Sequence, residues 1–343
     1  MLATATAYSA VPLTPELASD VDTHRWQSQA CAAIQRALDV HMPEELPEWL
    51  ARYERVGERD PFLWRWTLRA MQITTLSSVA PELRGAVAMT KMLGVMFSVL
   101  LEDIAGVLQD REMLELCLKS PGSAAEESAR ERELDEGARE YIAFAREVAR
   151  EMERRARALP RWDELEEVFQ YDRDQIINTM RYAVLVNRHP GLMNLVESEL
   201  YQPHSTHMML SCTIDLMASP GFDAEELGLA REAMWHAQRM GRIGDQISTW
   251  ERKIKESDFA SEVVAHALRR GIIQVDQIRR GERESVLAAL KQHDVERYFL
   301  EEWQRLHGEV AVLAPHLATV DLHQLLAGME ELIQLHVASK GLR

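Results

Sequence analysis

Asp245, Thr249 and Lys253 fall at every fourth position of GRIGDQISTWERKIKE, residues 241–256, so on a helix they stack about one turn apart on a single face. Arg242 adds a second cation about one turn above Asp245. A carboxylate, a hydroxyl and two cations on one stripe suit Mg2+ and phosphate oxygens, although a solvated helix face would carry the same residue types. A second acidic stretch, LLEDIAGVLQD, holds Glu102 and Asp103, with Asp110 seven residues after Asp103. Adjacent carboxylates point about 100° apart on a helix, so only one of them shares a face with a given partner. Carboxylates at the end of a buried helix are costly unless paired or metal-bound; the alternative is that the helix surfaces there and its charges are wet. A third feature is the run Asn187-Arg188-His189-Pro190-Gly191, where proline disfavours helix at His189 and glycine admits unusual dihedrals. Such an interruption is either a site feature or an ordinary kink.

The elements that must position these groups are helical throughout. Residues 81–108 have almost no polar face: Ala86, Val87, Met89, Met92, Leu93, Val95, Met96, Phe97, Val99, Leu100 and Leu101 surround the axis, which predicts a central helix buried on all sides. Thr14-Pro15-Glu16 reads as a helix start, with residues 1–20 as a flexible lead segment. Further helices are expected over residues 47–56, from Asp60-Pro61 onward, from the loop Pro121-Gly122-Ser123 to about Leu159, and over 163–186. A long one opens at Phe222-Asp223 and ends near Ser257-Asp258, and others follow over 260–270, 284–313 and 321–339. Period-two runs rich in Val, Ile and Thr are absent, so the expectation is an all-α fold, one large helical domain spanning 1–343.

Composition bounds the function. A formal net charge of -16 argues against general nucleic-acid or anionic-membrane binding, and no apolar run is long enough to span a bilayer. Cys31, Cys117 and Cys212 lie far apart with no CxxC spacing, which disfavours zinc or a disulfide framework and suits a cytoplasmic protein. No Glu-x-x-His pairs point to a di-iron bundle.

LLEDIAGVLQD resembles the aspartate-rich motif of class I terpene synthases, and RIGDQISTWERKIKESD resembles their second metal motif, N/D-x-x-x-S/T-x-x-x-E. The resemblance is to bacterial cyclases of the diterpene type and spans about Asp60 to Gly341. It implies a helical bundle around an apolar cavity, Mg2+ as cofactor, a prenyl diphosphate as substrate and a homodimer as assembly. Carried over residue by residue, it places metal ligation on Glu102, Asp103, Asp245 and Thr249. It gives the diphosphate to Arg188, Arg242 and Lys253, with Asn187 as an alternative to Arg188 and with Gly191 in the helix break. Phe62, Trp66, Met92 and Phe97 are candidates for the cavity wall, though each is also ordinary core by its type. Two positions depart from the pattern: Gly106 stands where a carboxylate is expected, and Lys253 stands where the last metal ligand is expected. The implied reaction is Mg2+-assisted ionisation of geranylgeranyl or a bicyclic C20 diphosphate, with farnesyl next, followed by cyclisation or rearrangement. The alternative is a catalytically impaired binding or partner module on the same scaffold. No DxDD stretch supports protonation-initiated cyclisation, and GDQIST stands where a chain-elongating synthase would carry a second aspartate-rich motif.

Overall fold

A computed structural model describes residues 20–118 and 134–342. Within them are fifteen α-helices and no strand, as the periodicity predicts. The expected helix start at Thr14, the lead segment before residue 20 and the Pro121-Gly122-Ser123 loop lie outside the described residues.

The first four helices are α1 (Asp20–Leu38), α2 (Leu46–Tyr53), α3 (Phe62–Ile73) and α4 (Arg84–Glu102), and α5 (Arg111–Leu118) follows. The apolar helix α4 is the predicted central element. Met92, Leu93, Met96, Leu100 and Leu101 are fully buried on it, each contributing about 1.5–3 kcal/mol of hydrophobic stabilisation. One charge interrupts this surface: Lys91 is fully buried and its ammonium lies 2.6 Å from Asp215 Oδ1. Asp215 belongs to α9 (Met208–Met217), every residue of which is buried.

Between them run α6 (Glu136–Arg157), α7 (Trp162–Arg188) and α8 (Leu195–Tyr201). The long α10 (Leu227–Lys255) packs on α9 and on two helices near the C-terminal end, α14 (Val295–Leu313) and α15 (Leu322–Ala338). Three short helices, α11 (Glu262–Arg269), α12 (Val275–Arg279) and α13 (Arg283–Gln292), link α10 to α14. The single helix expected over 284–313 is therefore two, divided at Asp294, whose φ of 44° is left-handed and cannot continue an α-helix.

Two helix ends depart from regular geometry beside the acidic stretches. After Glu102 the backbone widens into a π-turn, Asp103–Leu108, closed by left-handed Gln109. Helix α10 ends in a Schellman motif: Ser257 takes φ 64°, its N–H bonds the Ile254 carbonyl at 3.0 Å, and the Asp258 N–H returns to the Lys253 carbonyl at 2.8 Å. That turn brings Asp258 back against its own helix.

Candidate active site

An apolar cavity of about 130 Å³ lies among α3, α4, α10, α15 and the segment that opens α9. Val95, Ser98, Val99 and Glu102 line it from α4, a single stripe at helical spacing that ends in a carboxylate. Gly241 and Asp245 line it from α10, one turn apart. Trp66 and Met71 come from α3, and Leu332 and His336 from α15. Trp66 is fixed there by donating Nε1–H to Ser339 Oγ at 3.0 Å and by an edge contact with the His336 ring.

The interruption bordering this cavity is the 3-10 segment Gln202–Thr206 followed by left-handed His207, and Ser205, Thr206, His207 and Met208 all reach the wall. Proline at 203 cannot continue the helix before it, and α9 restarts one residue after His207. The orphan Met209 N–H at that restart donates to Gln238 Oε1 of α10 at 3.0 Å, and His207 shares a 3.0 Å hydrogen bond with Ser211 Oγ. Burial pushes the His207 imidazole down to about 3, so it is neutral.

The run at residues 187–191 lies elsewhere. Helix α7 ends at Arg188, which is exposed; Gly191 is exposed too, and neither is on the cavity wall. Asn187 has a different task. Its Nδ2 donates to Asp258 Oδ1 at 2.9 Å and its Oδ1 accepts the Phe259 N–H at 2.9 Å, so it pins the turn after α10.

Glu102, Asp103 and Asp245 each meet a cation. Glu102 Oε1 accepts from Lys253 Nζ at 2.7 Å, and Lys253 holds its carboxyl well below the usual range. Asp103 is off the cavity wall. It takes Arg59 Nε at 2.8 Å and a 3.4 Å hydrogen bond from the Tyr53 hydroxyl, and burial raises its carboxyl despite that pairing. Asp245 Oδ2 accepts from Arg242 at 3.0 Å. Arg242 is itself buried and reaches Ser205 Oγ at 3.1 Å and Gln202 Oε1 at 2.9 Å, with the buried Glu262 3.6 Å from its Nε. It is a clamp tying α10 to the broken segment. Burial pushes Glu262 up to about 7. Thr249 directs its hydroxyl back to the Asp245 carbonyl at 2.7 Å.

Of the four expected metal ligands, Glu102 and Asp245 line one cavity, while Asp103 and Thr249 are off its wall. Among the described residues no group of three or more His, Cys, Asp or Glu stands close enough to hold a metal ion. The donor chemistry agrees: Glu102, Asp103 and Asp245 carry three negative charges, and Lys253, Arg59 and Arg242 already balance them. Mg2+ does not fit the ligand set as it stands, because entry at any of the three carboxylates either displaces a bonded cation or sets Mg2+ beside it, and like charges repel.

Of the expected wall residues, Trp66 lines the cavity. Met92 and Phe97 are buried core facing other directions from α4, and Phe62 is half-buried at the start of α3. Counting back from Glu102 by three, four and seven residues finds Val99, Ser98 and Val95; Phe97 and Met92 are off that register. Arg59 and Asp258 carry no comparable signal, since only folding brings them to Asp103 and Lys253.

No family model matches the chain, and a search of curated proteins gives no match. Among solved structures, farnesyl diphosphate synthase of T. brucei aligns over 93% of this chain and 98% of its own, with a TM-score of 0.51 and 12% identity. A polyprenyl synthase of Caulobacter crescentus, solved with calcium and isoprenyl diphosphate, aligns over 97% and 98% with a TM-score of 0.45 and 12% identity. The chain has the all-α isoprenoid synthase fold. In this chain the broken segment, the end of α4 and the middle of α10 surround one cavity. No helix of the described residues is long and apolar enough to cross a membrane.

Proposed function

We propose that this chain is a class I terpene synthase-type enzyme that ionises a prenyl diphosphate, with geranylgeranyl or a bicyclic C20 diphosphate ahead of farnesyl. The observation that carries this reading is that Glu102 and Asp245, from the two motif-bearing helices, line the same apolar cavity. The fold shared with a farnesyl diphosphate synthase supports it at the level of architecture.

In this reading the hydrocarbon enters between Trp66, Val95, Val99 and Leu332, and the diphosphate stays at the charged rim. The allylic C–O bond breaks heterolytically, and its electron pair leaves with the diphosphate oxygen. Lys253, at the rim through its bond to Glu102, offers charge-assisted hydrogen bonds to that oxygen. Arg242, already fully engaged, positions Asp245 and the broken segment. The allylic cation left behind is shielded from water by the apolar wall and faces Trp66. It is discharged by loss of a proton or by capture of water. Incubation with C10, C15 and C20 prenyl diphosphates, with Mg2+ and separately with EDTA, tests this by diphosphate release and by chromatography of hydrocarbon and alcohol products. No release from any chain length, beside an active control enzyme, refutes it.

A second reading, an inactive partner module on the same scaffold, is favoured by cavity size. About 130 Å³ falls below the ~300 Å³ at which ligand pockets begin. The absence of both saturable prenyl diphosphate binding and diphosphate release, beside an active control enzyme, supports this second reading.

A further inference from the structure

We infer that the Lys253 ammonium is a tethered cation that replaces a divalent ion between α4 and the turn after α10, so that this half of the site meets a diphosphate without metal. This deepens the function proposed above by naming the receiving group. It rests on that reading only for the identity of the anion.

Two carboxylates from different segments converge on one buried ammonium: Lys253 Nζ is 2.7 Å from Glu102 Oε1 and 3.8 Å from Asp258 Oδ2. The second carboxylate is built in. The Schellman turn returns Asp258 to the helix end, and Asn187 Nδ2 and the Ala260 N–H hold its Oδ1 at 2.9 and 3.1 Å. Its Oδ2 is left facing Lys253 and Gly106. A Cβ at Gly106 would stand 3.0 Å from that oxygen, so the glycine leaves the room that Asp258 occupies. Glycine at 106, lysine at 253 and aspartate at 258 thus form one arrangement, in which a monovalent, three-donor group spans two anions. A divalent ion entering here either displaces the ammonium from Glu102 or binds the carboxylate's other oxygen beside an ammonium that repels it. A diphosphate oxygen needs neither, since the ammonium has a further donor to give and Arg59 stands behind at Asp103.

The test uses the full-length chain and reads binding, not turnover. Mn2+ alone is titrated into wild type, Lys253→Glu and Lys253→Gln, following the free-ion paramagnetic signal. Inorganic diphosphate is titrated calorimetrically into wild type and Lys253→Gln, in EDTA and in Mg2+. The inference expects no stoichiometric Mn2+ binding by wild type and one Mn2+ bound at least about tenfold more tightly by Lys253→Glu. It also expects diphosphate binding by wild type in EDTA that Mg2+ alters less than about threefold and that Lys253→Gln weakens at least about tenfold. It is overturned by Mn2+ binding in wild type that Glu102→Gln abolishes, by diphosphate binding only when Mg2+ is present, or by no diphosphate binding in either condition. Should Lys253→Glu lose its helical circular dichroism, the wild-type titrations decide alone. A chain that binds diphosphate in EDTA but releases none from prenyl substrates keeps this inference and loses the enzymatic reading.

Discussion

Restoring a carboxylate at position 106 is expected to destabilise the protein, because Asp258 already fills that space. A Cβ there meets Asp258 Oδ2 at 3.0 Å and Cγ at 3.4 Å. The carboxylate cannot step aside without losing the Asn187 and Ala260 hydrogen bonds. For Gly106→Ala the overpacking costs about 1–3 kcal/mol, partly offset by about 0.5–1 kcal/mol from replacing a helical glycine, which leaves about 0.5–2 kcal/mol. Gly106→Asp adds a second negative charge about 4 Å away, worth about 4 kcal/mol at an effective dielectric of 20. Lys253, 3.8 Å from Asp258, cancels part of this, which leaves about 2–3 kcal/mol beyond the alanine cost. Urea unfolding at pH 7 measures the series, with Gly106→Asn as the uncharged match in size and Asp258→Asn as the relieving second change. Finding Gly106→Asp as stable as Gly106→Asn, or Gly106→Ala more stable than wild type, refutes the packing and charge account.

Three further outcomes rest on named contacts. Lys91→Met strands Asp215 in the core and is expected to cost about 3–5 kcal/mol, while Lys91→Met combined with Asp215→Leu costs clearly less; a single-variant urea midpoint unchanged from wild type contradicts this. Glu262 is raised by burial from 4.5 to about 7, so the folded state binds more protons than the unfolded state across that window. Its stabilising contribution is full below pH 4.5 and falls as pH rises to about 7, by as much as about 3 kcal/mol. Glu262→Gln therefore flattens the stability profile over that range, and an unchanged slope counts against the assignment. Val95→Phe fills the α4 side of the cavity and is expected to lower kcat/KM for a C20 diphosphate about 10- to 200-fold relative to C10; equal losses for both lengths place the hydrocarbon elsewhere.

The acidic residues at the end of α4 are paired with cations from segments far apart in the chain. Arg59 reaches Asp103 from the loop before α3, and Lys253 reaches Glu102 from the end of α10. The consequence is a site rim whose motif carboxylates each bond a side-chain cation, and this separates it from the metal-dependent arrangement its motifs resemble.

The helical class, the burial of α4 and the shared face of Gly241 and Asp245 were legible in the sequence, because helical period and apolar pattern are local properties. The stripe from Val95 to Glu102 follows the same period, as a count of three, four and seven back from the carboxylate, but the α4 residues expected on the wall from the sequence were Met92 and Phe97 instead. The departures at Gly106 and Lys253 were visible as residue types, but their meaning was not. Residues 187–191 and 202–207 both carry proline, and nothing local distinguishes them; packing against Gln238, Arg242 and α4 puts the second at the cavity and leaves the first at a surface helix end. Asp258 looked like a helix terminus, and only the left-handed Ser257 turn folded it back onto Lys253. Sequence alone determined which faces carry charge. Tertiary structure decided which charges meet, since the strength of an ion pair depends on distance and burial, which no local period encodes.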